Sequence, residues 1–249
     1  MPELADHDIA RLRADNPSPY TLDGTNTWVI GRDPAWVVDP GPALDAHLDA
    51  VAAEVALRGG AGGIALTHDH EDHVEGVSAL RERLGGPPVA AARHPGDVVL
   101  ADGDAFGPLR AIAIPGHADD HLAFVAGAAA FTGDAVLGEG SVFVMSRLGE
   151  YLAALERLDA LGLEVLCPGH GPPIWDPAAK LGEYLAHRAE RERKLLAALE
   201  AGARTEDELL DAAWADAPAA LRPAAALTLR AHAGKLADEG RLPDDVKLA

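Results

Sequence analysis

Cysteine is nearly absent from this sequence, with Cys167 standing alone. One thiol excludes an intramolecular disulfide and any cysteine-rich zinc module, and Cys167 reads as a small buried side chain. Long apolar runs are absent too, and none approaches the roughly 20 residues that span a bilayer. No charged-then-apolar leader is visible, because Asp6, His7, Asp8, Arg11, Arg13 and Asp15 break up the first segment. These absences leave a cytoplasmic protein without a membrane partner as the expectation. Positive charge is scarce: 21 Lys and Arg face 40 Asp and Glu, a formal net charge of −19. Such acidity favours solubility and works against nonspecific attraction to nucleic-acid backbones or anionic membranes. No internal repeat appears beyond an alanine bias.

The 249 residues suit one medium domain with a small one. Thr21 to Gly31 reads as a glycine-containing loop running into a strand, and Asp33-Pro34 turns the chain into a second strand, Ala35 to Asp39. Asp39 closes that strand, where it either supports a site or makes a turn. Leu44 to Arg58 and Val77 to Leu84 carry helical periodicity, each ended by paired glycines. Val89–Ala92, Leu109–Ile114, Leu122–Ala126, Ala129–Phe131 and Val165–Leu166 read as strands, with a helix over Glu150–Leu161. Residues 1–20 read as a polar entry ending in turns. Strands interleaved with helices predict an α/β fold whose strand ends build one site.

The chemistry concentrates in Thr67-His68-Asp69-His70-Glu71-Asp72-His73, directly after the apolar run Gly63 to Leu66. Neutral imidazole and carboxylate are good ligands for zinc and similar divalent metals. Alternate residues of an extended loop point the same way, so His68 and His70 grip one ion, while Asp72 and His73 lie past the turn and face a second. Further candidates follow strands: His117 in Pro-Gly-His, Asp134 in Thr-Gly-Asp, and His170 in Pro-Gly-His-Gly. His121 lies four residues after His117, but Pro115-Gly116 argues for a loop there. His47 and His94 read as ordinary surface histidines.

The H-x-H-x-D-H spacing resembles the signature of the metallo-β-lactamase superfamily, and His117, Asp134 and His170 follow in that family's order. The resemblance implies an αββα metallo-β-lactamase sandwich over 1–177, and 178–249 forms a small helical, winged-helix-like domain. It implies two zinc ions per chain, with iron or manganese as alternatives. His68, His70 and His117 hold the first metal, Asp72, His73 and His170 the second, and Asp134 bridges them. Asp72 also orients a metal-bridging hydroxide and is the catalytic residue. Asp39 and His121 stand behind the ligands and support them. Antibiotic-cleaving members lack the bridging aspartate, whereas glyoxalase-II-like thioesterases and metal-dependent nucleases keep it, so β-lactamase activity is not implied.

Over nearly the whole chain the resemblance is to the beta-lactamase-like protein 2 group. It rests on Leu22-Asp23-Gly24-Thr25-Asn26-Thr27, Phe131 to Gly138, the Pro-Gly-His-Gly loop and the helical tail from His187. Members of that group are described as single-strand endoribonucleases and relatives as thioesterases. The expected function is a binuclear zinc hydrolase acting on a small ester or thioester. The alternatives are a metal-dependent endoribonuclease, with Arg93 and Arg147 serving a short RNA end, and a mononuclear iron dioxygenase. In the tail, Ala178–Leu199 is amphipathic, Thr205 and Glu208 form a capping box, Ala219–Ala237 is helical, and a short terminal hairpin follows. From residue 188 onward ten Lys and Arg face twelve Asp and Glu. That balance favours a packing or homodimer role for the tail over a grip on nucleic acid.

Overall fold

The computed structural model describes residues 3–93 and 96–248. Two sheets face each other. The first has the order β1 (Ile9–Arg13), β2 (Asn26–Ile30), β3 (Ala35–Val38), β4 (Ala61–Ala65), β5 (Val89–Ala91), β6 (Val98–Val99). β1 to β3 are antiparallel and β3 to β6 parallel. The second runs β11 (Val165–Pro168), β10 (Ala129–Gly133), β9 (Leu122–Ala126), β8 (Leu109–Ala113), β7 (Ala105–Phe106), antiparallel except for the β10–β11 pair.

Both faces of each sheet are buried, so the strands read as continuous apolar runs while their side chains alternate between two cores. Trp28, Ile30, Val38 and Ala65 meet Leu122, Phe124, Phe131 and Cys167 between the sheets. Val29, Val37, Ile64 and Leu66 point outward, beneath α1 (Asp45–Leu57) and α3 (Val77–Arg83), against Leu48, Val51, Val55 and Leu80. On the opposite side Ile112, Ala123, Ala130 and Leu166 pack under α4 (Leu148–Asp159) through Tyr151, Leu155 and Leu158. The layers are therefore α/β/β/α, as the sequence implies.

α5 (Pro177–Glu200) has Pro177 at its first turn and the Asp176 carboxylate accepting from Ala179 N at 3.0 Å. It serves two cores. Leu181 and Tyr184 belong to the cluster over the second sheet. Leu195 and Leu199 belong to the tail core, with Leu209, Leu210, Trp214, Leu229 and Leu236 of α6 (Glu206–Ala213), α7 (Arg222–Asp238) and the turn between them. The Thr205–Glu208 capping box is present. The terminal hairpin is not: the segment after α7 makes a single parallel bridge, Lys247 to Thr205, among the described residues. β1 also departs from the expected polar entry. It is an edge strand, and its Ala10, Arg11 and Leu12 are half-buried.

Candidate metal centre

The site lies where β3, β4, β10 and β11 end. The parallel β3–β4 register brings Asp39, just past Val38, beside Thr67, just past β4. The Asp39 carboxylate accepts from Thr67 N (2.8 Å), from Thr67 Oγ1 (2.7 Å) and from His73 Nδ1 (2.9 Å). These bonds settle two tautomers. Thr67 gives its only hydroxyl proton to Asp39, so it accepts from His68 Nδ1 at 2.9 Å. In their neutral forms His68 and His73 thus both present a bare Nε2, and each of these atoms is buried without a hydrogen-bond partner. α2 (Glu71–Val74) forms one turn after His70, which carries Asp72 and His73 to the other side of the cluster.

The remaining donors arrive on glycine-dependent turns. Gly169 packs so tightly that a Cβ there would sit 2.5 Å from Asp134 Oδ1 and 2.7 Å from His73 Cε1. The 168–171 loop is clamped from β2. Asn26 Nδ2 donates to the Pro168 and Gly171 carbonyls at 2.9 Å, and Trp28 Nε1 donates to Pro168 O at 3.1 Å. Arg11 Nε in turn donates to Asn26 Oδ1, which fixes the amide orientation.

The predicted ligands come together in overlapping groups whose donor atoms lie within 4.8 Å of one another: His68, His70 and His117; Asp72, His73 and His170; and, linking the two, His68, His73 and Asp134. Asp134 sits between the groups, Oδ1 3.3 Å from His170 Nε2 and 3.5 Å from His73 Nε2, Oδ2 3.6 Å from His117 Nε2. The angles leave Oδ1 buried without a hydrogen bond. Asp72 Oδ2 lies 3.1 Å from His170 Nε2 and accepts from Thr25 Oγ1 at 3.3 Å. His121 is no part of these groups. Its Nε2 accepts from Asp134 N at 3.1 Å, and its ring stacks on His68 with centroids 4.7 Å apart.

Electrostatics divide the donors: some are held in the form that ligates a metal, while His73 and His170 are drawn toward the protonated form that a cation would displace. Burial, and then the neighbouring His73, push His68 well below the ordinary histidine range, and burial lowers His117. Burial alone would raise Asp134, but His73 and His170 outweigh it and hold the carboxyl well below its usual range. Asp72 is lowered in the same way, burial being outweighed by His170 and His73. Burial opposes charge on His73 and His170 as well. Asp134 and Asp39 carry His73 well above its ordinary value, and Asp134 and Asp72 carry His170 to about 9. Orphaned imidazole nitrogens and an orphaned carboxylate oxygen, aimed at one another in the interior, are what a divalent cation satisfies.

Two other sequence readings resolve differently. His47 is not a surface residue: it is 6% exposed, its Nε2 2.9 Å from Thr27 Oγ1 and 3.2 Å from the Pro40 carbonyl. His94 lies outside the described residues. Arg147 is engaged by Glu150, its Nε 2.7 Å from Oε1, and Arg93 is exposed. Asn26, Trp28 and Thr67 are the supporting residues that sequence reasoning did not assign.

Two facing sheets flanked by helices, with a histidine–aspartate cluster at the strand ends, define a class: a metal-dependent hydrolase of the metallo-β-lactamase fold. No protein-family model matches the sequence. A beta-lactamase-like protein 2 homolog of Caenorhabditis elegans is 30% identical over 254 residues, 93% of this chain and 85% of that one. An atrochrysone carboxyl ACP thioesterase of Aspergillus chevalieri is 36% identical over 204 residues, 77% of this chain and 65% of the thioesterase. A crystal structure of a metallo-β-lactamase family protein from Thermus thermophilus covers 94% of both chains, with a TM-score of 0.71 and 26% identity. The chain belongs to the metallo-β-lactamase superfamily.

Proposed function

We propose that this protein is a binuclear metal-dependent hydrolase of a small ester or thioester, with thioesters preferred. The observation that carries this is the pair of complete ligand groups joined through Asp134. A mononuclear oxygenase needs only one of them. His68, His70 and His117 are the residues to hold one metal, Asp72, His73 and His170 the other, with zinc the ion that best suits nitrogen-rich sites and iron or manganese as alternatives. Metal bound there supplies an activated water and a Lewis acid for the scissile carbonyl oxygen.

The chain's own residues do the rest. Asp39 and Thr67 lock His73 and His68 with their Nε2 atoms inward. Asp72 is held ionised, so its carboxylate accepts a hydrogen bond from the attacking water and aims it, with Thr25 Oγ1 fixing the carboxylate from behind. With the imidazoles engaged as ligands and both carboxylates ionised, these residues hold no ready acid for a leaving group. That suits a thiolate, since a free cysteine-like thiol has a pKa of about 8.5 and departs without a proton. It suits an alkoxide or a ribose oxygen less. The name of the Aspergillus chevalieri relative agrees. The net charge of −19 also weighs against RNA, which lays several phosphates along its binder.

The test is a turnover panel with metal-loaded protein: acyl-thioesters and lactones beside single-stranded RNA, at low and physiological salt. Acyl-thioesters should turn over fastest, and Asp72→Ala should abolish that activity while the first ligand group still binds metal. RNA cleavage that depends on metal and on Asp72 and outruns every acyl substrate would overturn the substrate assignment.

A further inference from the structure

Outside the metal centre, and among the described residues, Arg188 carries a buried charge without its opposite. Arg188 of α5 is 2% exposed. Its Nη2 donates to Ser141 Oγ at 3.3 Å and to the Val142 carbonyl, while its Nε is buried with no partner. The groups acting on it most strongly are Tyr151, Tyr184 and Arg191, none of them a carboxylate. A buried guanidinium is costly unless something pairs it.

Arg188 lines a cavity of about 240 Å³ between residues 141–143 and the helical tail, together with His187, Arg191, Trp214 and Leu221. Among the described residues Asp216 is the one acid on its wall, and Arg191 takes it through two bonds, Nη1 to Oδ1 at 2.6 Å and Nη2 to Oδ2 at 3.0 Å. Asp216 therefore does not neutralise Arg188. His187 Nδ1 is a second buried atom without a partner. His232 lies behind Trp214, ring centroids 5.7 Å apart, and both its ring nitrogens are unpartnered. In a chain this acidic, a cationic cavity lined by polar atoms without partners is a recognition feature. Phe143 ties it to the metal centre, because it lines the cavity and its carbonyl oxygen is 3.4 Å from His117 Nδ1.

We propose that this cavity is an anion subsite, in which Arg188 pairs with a carboxylate or phosphate carried by the substrate at a distance from the scissile bond. Assigning the anion to the substrate rests on the hydrolase reading, whereas the binding itself is independent of it. The subsite selects substrates by their charge, and the metal centre acts on the acyl group beyond it.

The experiment titrates inorganic phosphate and, separately, acetate into the full chain while following tryptophan fluorescence. Trp214→Phe identifies the part of the signal that comes from the cavity. The expected result is a saturable Trp214 signal with one of the anions, which also tells phosphate from carboxylate. It should weaken by about tenfold in Arg188→Met, the loss of one charge-assisted pair. Leu221 is 44% exposed, so Leu221→Glu places an opposing charge at the cavity without disturbing the core, and it should weaken binding even if Arg188→Met does not fold. No saturable signal with either anion, or unchanged affinity in Leu221→Glu and in any folded Arg188→Met, overturns the subsite. Anion binding without turnover of any ester would keep the subsite and reject the hydrolase; turnover without anion binding would do the reverse.

Discussion

Asp39 concentrates the logic of the site in one side chain. It accepts three hydrogen bonds and through them sets two histidine tautomers. Asp39→Asn keeps an acceptor for Thr67 N but turns an NH2 toward Thr67 Oγ1 and His73 Nδ1. His73 then favours the tautomer with its proton on Nε2, where a ligand lone pair is needed. Metal affinity should fall by about 10–100-fold with the fold retained, which chelator competition reads directly. Unchanged affinity would show that His73 is not a ligand. The clustering of the candidate donors was legible in the sequence, because their spacing is local or tied to short Pro-Gly and Thr-Gly turns. The resemblance placed Asp39 behind them, but which groups it holds was not legible, because that depends on β3 and β4 pairing in register across 28 residues. His47 was misread for a different reason. It shares the buried face of α1 with Val51 and Val55 at four-residue spacing, a signal present in the sequence but masked by the residue's polarity.

Among the elements, the strands of the sandwich were legible because burial on both faces makes them apolar runs bounded by turns. The edge strands β1, β6 and β7 were not: β1 carries Arg11 and Arg13 where a central strand would carry valine, and β6 and β7 are only two residues each. The tail helices were read from periodicity and the capping box, while the short segment after Glu239 carried too little pattern to fix its pairing. α7 offers a test of its own. Burial, then Arg188 and Lys235, depress His232 to about 3, so the folded state holds it neutral. Its unfolded value is the ordinary 6.5. A depressed histidine contributes stability that is fully present above about 6.5 and is lost as pH falls from there toward 3. The slope is up to about 1.4 kcal/mol per pH unit. His232→Leu should remove that component, so denaturation midpoints of wild type and variant should diverge between pH 6.5 and 4. Parallel pH profiles would mean that His232 is protonated or exposed in the folded protein.

On the scale of the whole molecule, α5 makes the tail part of the catalytic sandwich's packing. A chain ending at Asp176 loses Leu181, Tyr184 and Ala231 from the cluster over the second sheet. It should expose a contiguous apolar face and associate, seen as a shift to larger species in light scattering. A truncated chain that stays monodisperse with full activity would make the tail dispensable.

If two metals act together in this hydrolase, activity must follow their stoichiometry. Metal-stripped protein should regain acyl-thioester turnover as zinc is added, rising to a plateau at two equivalents per chain, because both ligand groups are complete. A plateau at one equivalent, or activity restored only by a single iron, would show that the site does not work as a metal pair.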